Sequence, residues 1–119
     1  LHSHEKGAVI FIDIDHFKYV NDNVGHRRGD QMLVSVGGIL REVAEGVGST
    51  VYRMGGDEFA VHVPGALRPQ AQDVADALLT RLRQCPIPLP NEERVISLTA
   101  SSGIALYPFH GGEPNGLFA

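Results

Sequence analysis

The run "AVIFIDID" at residues 8–15 constrains the fold more than any other segment of the chain. Aliphatic and β-branched residues fill it until two aspartates, Asp13 and Asp15, end the apolar pattern. Such a run is typical of a central strand that is covered on both faces, with polar groups at its C-terminal end. We therefore expect a sheet with this segment inside it.

The segments that follow predict helices. The stretch "HFKYVNDNVGH" predicts a short helical turn that leads into a loop at Gly25. From Arg27 to about Glu45 the apolar residues recur at helical spacing, which predicts an amphipathic helix. A further helix is expected to begin at Pro69, because proline is favoured in the first helical turn.

Strand-like segments complete the pattern. Residues 50–54 and 58–63 flank a Gly-Gly pair, which predicts a hairpin. The stretch "CPIPLPNEE" predicts a proline-broken loop, and "RVISLTASSGIALYP" a long strand interrupted near Ser102 and Gly103. The order strand, helices, strand, strand, helix, strand predicts an α+β, ferredoxin-like fold, with helices on one face of a mostly antiparallel sheet.

Composition narrows the class of protein. The 119 residues are 43% hydrophobic and 20% charged, as expected for one soluble globular domain. The net charge of −4 argues against non-specific nucleic-acid binding, which needs a basic face. Apolar runs are too short to cross a bilayer, so we expect no direct membrane contact from this chain. The single cysteine, Cys85, excludes an internal disulfide.

Three aspartates are candidate metal ligands. Asp13 and Asp15 leave the same face of a strand about 7 Å apart, which is awkward for two ligands of one Mg²⁺ ion. A neighbouring strand lies only about 4.8 Å away, so Asp57 is the better partner of Asp13 if the hairpin pairs beside residues 8–15. Spacing alone leaves a structural role equally open, and Asp15 is positioned to cap the following helix.

The turn after the first strand holds candidate nucleotide-binding groups. Backbone N–H groups at a helix start, with Lys18 nearby, suit phosphate oxygens. Asn21 and Asp30 supply an amide and a carboxylate, which complement a guanine edge. Taken singly, each is more often a turn or cap residue.

Three motifs together resemble one known family. The stretches "FIDIDHFKYVND", "GHRRGD" and "RMGGDEFAV" are similar in order and spacing to those of the GGDEF family, the diguanylate cyclases. The later stretch "LTASSGIALYP" matches as well, so the resemblance spans residues 8–110. It implies a nucleotidyl cyclase-like palm fold that joins two GTP molecules, one on each protomer of a homodimer, into cyclic di-GMP with release of pyrophosphate.

The resemblance also implies metal and catalytic residues. Asp13 matches the metal-binding aspartate, and Ile14 the residue whose backbone carbonyl binds the same metal, Mg²⁺ or Mn²⁺. Asp57 matches a metal ligand that also serves as proton acceptor. Glu58 matches a residue that assists catalysis or holds a second metal.

Further residues match the family's substrate-binding positions. Asn21 and Asp30 match the guanine-binding pair, with His26 in the nearby loop. The turn that holds phosphates, with a catalytic contribution from its lysine, corresponds to His16, Phe17 and Lys18. The resemblance implies that side chains in place of Gly55 and Gly56 would collide with the nucleotide.

The chain departs from the family pattern at three points. Residues 1–119 form a single domain without the family's N-terminal "DxLTGLxNR" segment and without its C-terminal "ADxALYxAK" helix, which supplies phosphate-binding side chains. Gly46 and Ser49 occupy the positions of the RxxD product-inhibition motif, so we expect feedback through that site to be absent.

The resemblance leaves two functional hypotheses. The first is a cytoplasmic diguanylate cyclase domain, preceded by a sensor or receiver domain in a parent protein that is free or membrane-anchored. The alternative is an inactive GTP-binding module that regulates an attached phosphodiesterase domain. A plain ferredoxin-like interaction domain would leave the clustered carboxylates unexplained.

Overall fold

The computed structural model describes residues 6–89 and 92–108. The predicted order of elements is confirmed, with one small hairpin added before the last strand. The elements are β1 (Gly7–Ile14), α1 (Phe17–Val24), α2 (His26–Glu45), β2 (Thr50–Gly55), β3 (Glu58–Pro64), α3 (Arg68–Gln84), β4 (Ile87–Pro88), β5 (Val95–Ile96) and β6 (Ala100–Tyr107).

The main sheet has four strands in the order β2-β3-β1-β6, and each neighbouring pair is antiparallel. The hairpin therefore does pair beside the first strand, which is the condition set above for Asp57 to be the better partner of Asp13. In that pairing Gly7 lies opposite Pro64 and Asp13 lies opposite Glu58. The register brings the C-terminal end of β1 next to the turn between β2 and β3.

Only one face of β1 is fully covered, so the prediction of burial on both faces is wrong. Burial alternates along the strand: Ala8, Ile10, Ile12 and Ile14 are at most 2% exposed, whereas Phe11 is 39% exposed. The buried residues form one core with apolar side chains of α2 and α3. A continuous apolar run hid this alternation, because the outward positions of the strand also carry apolar residues.

The last strand differs from the prediction in where it is interrupted. β6 continues through Ser102 and Gly103, which pair with Ile12 and Phe11 of β1. The break lies instead before Ala100, since β5 leaves the main sheet and pairs with β4. The "CPIPLPNEE" loop therefore contains one strand of a two-stranded ribbon.

The helices agree with the sequence pattern. α2 begins at His26 and buries Met32, Leu33, Val36 and Leu40 against the sheet side of the core. α3 begins one residue before Pro69 and carries a proline in its first turn, as predicted. Among the described residues, no helix is long and apolar enough to cross a bilayer.

Candidate active site

Two carboxylates face each other across the β1–β3 pair. Asp13 and Glu58 are direct cross-strand partners, and both side chains are exposed. Directly opposed residues of an antiparallel pair leave the same face of the sheet, with Cβ atoms about 5 Å apart. The two acids therefore share one side of the sheet, the face away from the helices.

Asp13 and Glu58 also line one cleft of about 390 Å³ on this open face. Its walls are largely apolar, with Phe11 and Met54 contributing large side chains and Ser101 a hydroxyl. The cleft thus combines carboxylates with apolar surface, the combination expected of a small-molecule site.

The acidic side chains in and beside this cleft have no cationic partner in the described part of the chain. Within residues 6–89 and 92–108, Asp13, Asp57 and Glu58 take part in no ion pair. Like charges directly opposite each other destabilise a strand pair. A bound cation would offset that repulsion. The two opposed carboxylates are therefore better explained by a metal site than by a structural role.

The donor set fits Mg²⁺ or Mn²⁺. No group of three or more His, Cys, Asp or Glu side chains within the described part of the chain is arranged around one metal position. Mg²⁺ does not need such a cage, because it is commonly held by one or two carboxylates together with waters and substrate phosphates. Oxygen-only donors also exclude a preference for softer metals.

Asp57 lies directly before Glu58, in the turn between β2 and β3. Its carbonyl oxygen accepts a hydrogen bond from the backbone N–H of Ile14 at 3.1 Å, and its side chain is half-buried. Ile14 is buried and its hydrocarbon side chain has no ligand atom, so only its backbone carbonyl could bind a metal. The three candidate metal-binding residues, Asp13, Ile14 and Asp57, therefore lie together at one end of the sheet.

Asp15 does not cap α1, so that interpretation is wrong. The N-cap position is His16, and no side chain caps the helix. Asp15 instead accepts hydrogen bonds from Thr99 Oγ1 at 2.8 Å and Ser101 Oγ at 2.7 Å, one at each carboxylate oxygen. Its backbone N–H also donates to the Thr99 carbonyl at 2.9 Å. The carboxylate thus ties the end of β1 to β6.

The turn between β1 and α1 is held in an unusual conformation. His16 has φ 58° and ψ 23°, the left-handed region that non-glycine residues rarely occupy. Phe17 is buried in the core, so only its backbone can reach a ligand. Lys18 is exposed and forms no ion pair with the described residues. Its charge is therefore available to a phosphate.

Asn21 and His26 contact each other between α1 and α2. Asn21 Nδ2 lies 2.7 Å from Nδ1 of His26, a hydrogen bond in which the amide donates. Gly29 is buried beside them, and a Cβ there would overlap Oδ1 of Asn21. The side chain of Asn21 keeps its position because residue 29 is a glycine.

Asp30 is connected to the hairpin through Arg53, a residue that the sequence analysis missed. Arg53 Nη2 lies 3.3 Å from Oδ1 of Asp30 and donates to the carbonyl of Gly56 at 3.1 Å. Arg53 Nε also donates to that carbonyl, at 3.3 Å. One guanidinium therefore holds both a guanine-binding candidate and the glycine turn.

The two glycines of the turn are required by the backbone. Gly55 has φ 144° and Gly56 has φ 51°, values that L side chains rarely adopt. A Cβ at either position would meet no described protein atom within 4 Å. The expected collision with a nucleotide remains a prediction, whereas the conformational requirement is a property of the turn itself.

The positions of the feedback motif carry no charge. Gly46 is the C-cap of α2, and Ser49 is 5% exposed with an Oγ that has no hydrogen-bond partner among the described residues. The absence of product inhibition here remains a prediction.

The structure therefore groups the candidate residues in two clusters joined by the hairpin. Asp13, Asp57 and Glu58 lie at the open-face end. Asn21, His26 and Asp30 lie on the α1–α2 side, where Arg53 of β2 contacts Asp30. Arg53 pairs with buried Phe59 in the β2–β3 register, so it leaves the sheet on the helix face, opposite to Glu58.

The antiparallel sheet, the helices on one face and the acidic hairpin define the nucleotidyl cyclase palm fold. The family model "Diguanylate cyclase, GGDEF domain" matches residues 1–119. The chain belongs to the GGDEF domain family.

Relatives and solved structures agree with this membership. The chain is 42% identical over 118 residues to the diguanylate cyclase TpbB of Pseudomonas aeruginosa, a match that covers 95% of this chain and 26% of TpbB. A crystal structure of the TpbB GGDEF domain has a TM-score of 0.80 at 39% identity, and the match covers 94% of this chain and 68% of that one.

A second relative has a different activity. The chain is 36% identical over 104 residues to the cyclic di-GMP phosphodiesterase NbdA of the same species, a match that covers 87% of this chain and 13% of NbdA. The chain thus spans only a small part of either relative. Both relatives place the domain in cyclic di-GMP signalling.

Proposed function

We propose that this domain is a diguanylate cyclase, which condenses two GTP molecules into cyclic di-GMP and pyrophosphate. The observation that carries the proposal is the opposed pair Asp13 and Glu58, unneutralised by any described side chain and adjacent to Asp57. A purely structural hairpin gains nothing from two acids that repel each other. A cyclase needs such acids to hold a divalent cation next to phosphates.

Different site residues would bind the metal and the triphosphate. Asp13, the carbonyl of Ile14 and Asp57 would hold Mg²⁺ or Mn²⁺, with Glu58 assisting or holding a second ion. When bound, the metal offsets phosphate charge and makes the 3′-hydroxyl more acidic. Lys18 and the backbone of His16 and Phe17 would hold the triphosphate by charge and by the free N–H groups of the first helical turn.

The base would bind at the second cluster. Asp30 would accept hydrogen bonds from N1–H and N2–H of guanine. The amide of Asn21 would donate to an acceptor atom at the other end of that edge of the base. His26 would fix the amide of Asn21 through the contact at 2.7 Å. Gly55 and Gly56 would let the nucleotide approach the hairpin without a side chain in its path.

The chemical step needs a proton acceptor and a second nucleotide. Asp57 would take the proton of the 3′-hydroxyl, and the oxygen would attack the α-phosphate of the other GTP, releasing pyrophosphate. The cluster around Asp13 occurs once in the described chain, so two bound GTP molecules imply two protomers. We therefore propose a homodimer, driven by a sensor or receiver domain and acting in the cytoplasm.

A second candidate function rests on the similarity to NbdA. In that alternative the domain binds GTP without turnover and regulates an attached phosphodiesterase domain. The experiment is to incubate the full-length protein with GTP and Mg²⁺ or Mn²⁺ and to measure cyclic di-GMP by chromatography. Product supports the cyclase, whereas bound GTP without product supports the regulatory module.

A further inference from the structure

The strongest feature outside the proposed machinery is the guanidinium of Arg53. It contacts Asp30 of α2 at 3.3 Å and the Gly56 carbonyl at 3.1 Å and 3.3 Å. Asp30 and Arg53 are 23 positions apart in the chain, so this contact joins two separate motifs. Arginine suits such a bridge because its planar fork directs several N–H donors at fixed angles.

Stability alone does not account for this contact. The side chain of Arg53 is 37% exposed and that of Asp30 is 73% exposed. Exposed ion pairs typically contribute only about 0–1 kcal/mol to the free energy of unfolding. The contact has more effect on geometry, because it limits the orientations that an exposed carboxylate can adopt.

The contact leaves Asp30 able to bind a ligand. Oδ2 of Asp30 accepts no hydrogen bond from the described residues, and Oδ1 keeps a second lone pair. The same guanidinium fixes the carbonyl of Gly56, the residue directly before Asp57. Arg53 therefore links the carboxylate that would bind the base to the turn that carries the catalytic acids.

We propose that Arg53 is a positioning residue for the guanine base, which orients Asp30 to accept from the base and ties Asp30 to the catalytic hairpin. This inference rests on the proposed function, because it takes Asp30 as the residue that binds guanine. Asp30 accepts from the N2 amino group of guanine, and hypoxanthine lacks that group. Discrimination between the two bases therefore reports on the orientation of Asp30.

The test compares binding of 3′-deoxy-GTP and 3′-deoxy-ITP to the full-length protein by calorimetry with Mg²⁺. Neither nucleotide has the 3′-hydroxyl, so neither is consumed by the proposed reaction. The variants are Arg53→Lys, which keeps the charge but loses the fork, Asp30→Asn, and the double variant. Arg81→Lys is the matched control, since Arg81 forms an exposed ion pair with Glu42 at 3.7 Å, remote in sequence from both clusters.

We expect Arg53→Lys to reduce the preference for the guanine nucleotide by about tenfold or more, the effect of losing one well-oriented hydrogen bond to a charged group. In the Asp30→Asn background the same substitution should not reduce that preference further. Arg81→Lys should leave it unchanged, and thermal unfolding should show that all variants are folded.

Two results overturn the inference in distinguishable ways. If Arg53→Lys weakens both nucleotides equally and leaves the preference intact, Arg53 acts only on the hairpin and the positioning role is wrong. If the unsubstituted protein binds neither nucleotide, the proposed function itself is wrong, and the inference falls with it.

Discussion

Asp13 and Glu58 lie directly opposite each other on β1 and β3 and line the same cleft. No described side chain neutralises either acid. The fold thus holds two like charges together at the point where we propose that a divalent metal binds.

Removing one of the opposed acids should stabilise the metal-free domain. Asp13→Asn or Glu58→Gln removes a like-charge pair, so the free energy of unfolding should rise by about 0.2–1 kcal/mol in EDTA. Urea denaturation of the full-length protein and each variant measures this change. Added Mg²⁺ should stabilise the unsubstituted protein more than Asp13→Asn. A loss of stability above about 1 kcal/mol in both variants would show that these acids hold the fold together.

Asp15→Asn should have the opposite effect on stability. Each carboxylate oxygen of Asp15 accepts one hydroxyl, from Thr99 and Ser101, and an amide nitrogen cannot accept the second bond. We expect the free energy of unfolding to fall by about 1–2 kcal/mol. Asp13→Asn is the matched control, because Asp13 lies two positions earlier, near the end of β1. Equal effects of the two substitutions would contradict this assignment of Asp15.

Gly29→Ala should weaken nucleotide binding, because the new Cβ overlaps Oδ1 of Asn21. We expect GTP affinity to fall about threefold to tenfold, as for one lost hydrogen bond. Gly38→Ala lies on the same helix with open space around its Cβ, so it should stabilise α2 by up to about 1 kcal/mol and leave binding unchanged. Calorimetry and unfolding on both variants test this, and an unaltered affinity in Gly29→Ala would exclude Asn21 from base recognition.

Cyclase activity should depend on protein concentration. The reaction joins two GTP molecules that are bound to two protomers, so it requires the dimer. Dilution below the dimer dissociation constant should therefore lower the specific activity. Initial rates over a dilution series, with light scattering at each concentration, measure the dependence. A constant specific activity from a sample that scatters as a monomer would contradict the proposed homodimer.

The sequence predicted the hairpin, but it left open whether the hairpin pairs beside the first strand and which acid faces Asp13. A shift of one residue moves every side chain to the other face, and only the register places Glu58 opposite Asp13 with Asp57 beside Ile14. Local patterns were sufficient for α2 and for the glycine turn, because spacing and backbone conformation are local properties.

The contacts that join distant segments could not be read from the sequence. Asp15 meets Thr99 and Ser101 across 84 and 86 positions, and no local motif marks that contact. The sequence gives only a weak indication of the role of Arg53: strand alternation places it on the face opposite to the outward residues of β2. The indication for Gly29 is clearer, because a glycine within a helical pattern often marks close packing.

The most direct test of the account is cyclic di-GMP formation by the full-length protein and its Asp57→Asn variant, with GTP and Mg²⁺. We expect the unsubstituted protein to form product and Asp57→Asn to lower the rate by about 10²–10⁴-fold, the usual contribution of a proton acceptor, with the fold intact. Asp73→Asn, an exposed position on α3, should be as active as the unsubstituted protein. Full activity of Asp57→Asn would contradict the central claim.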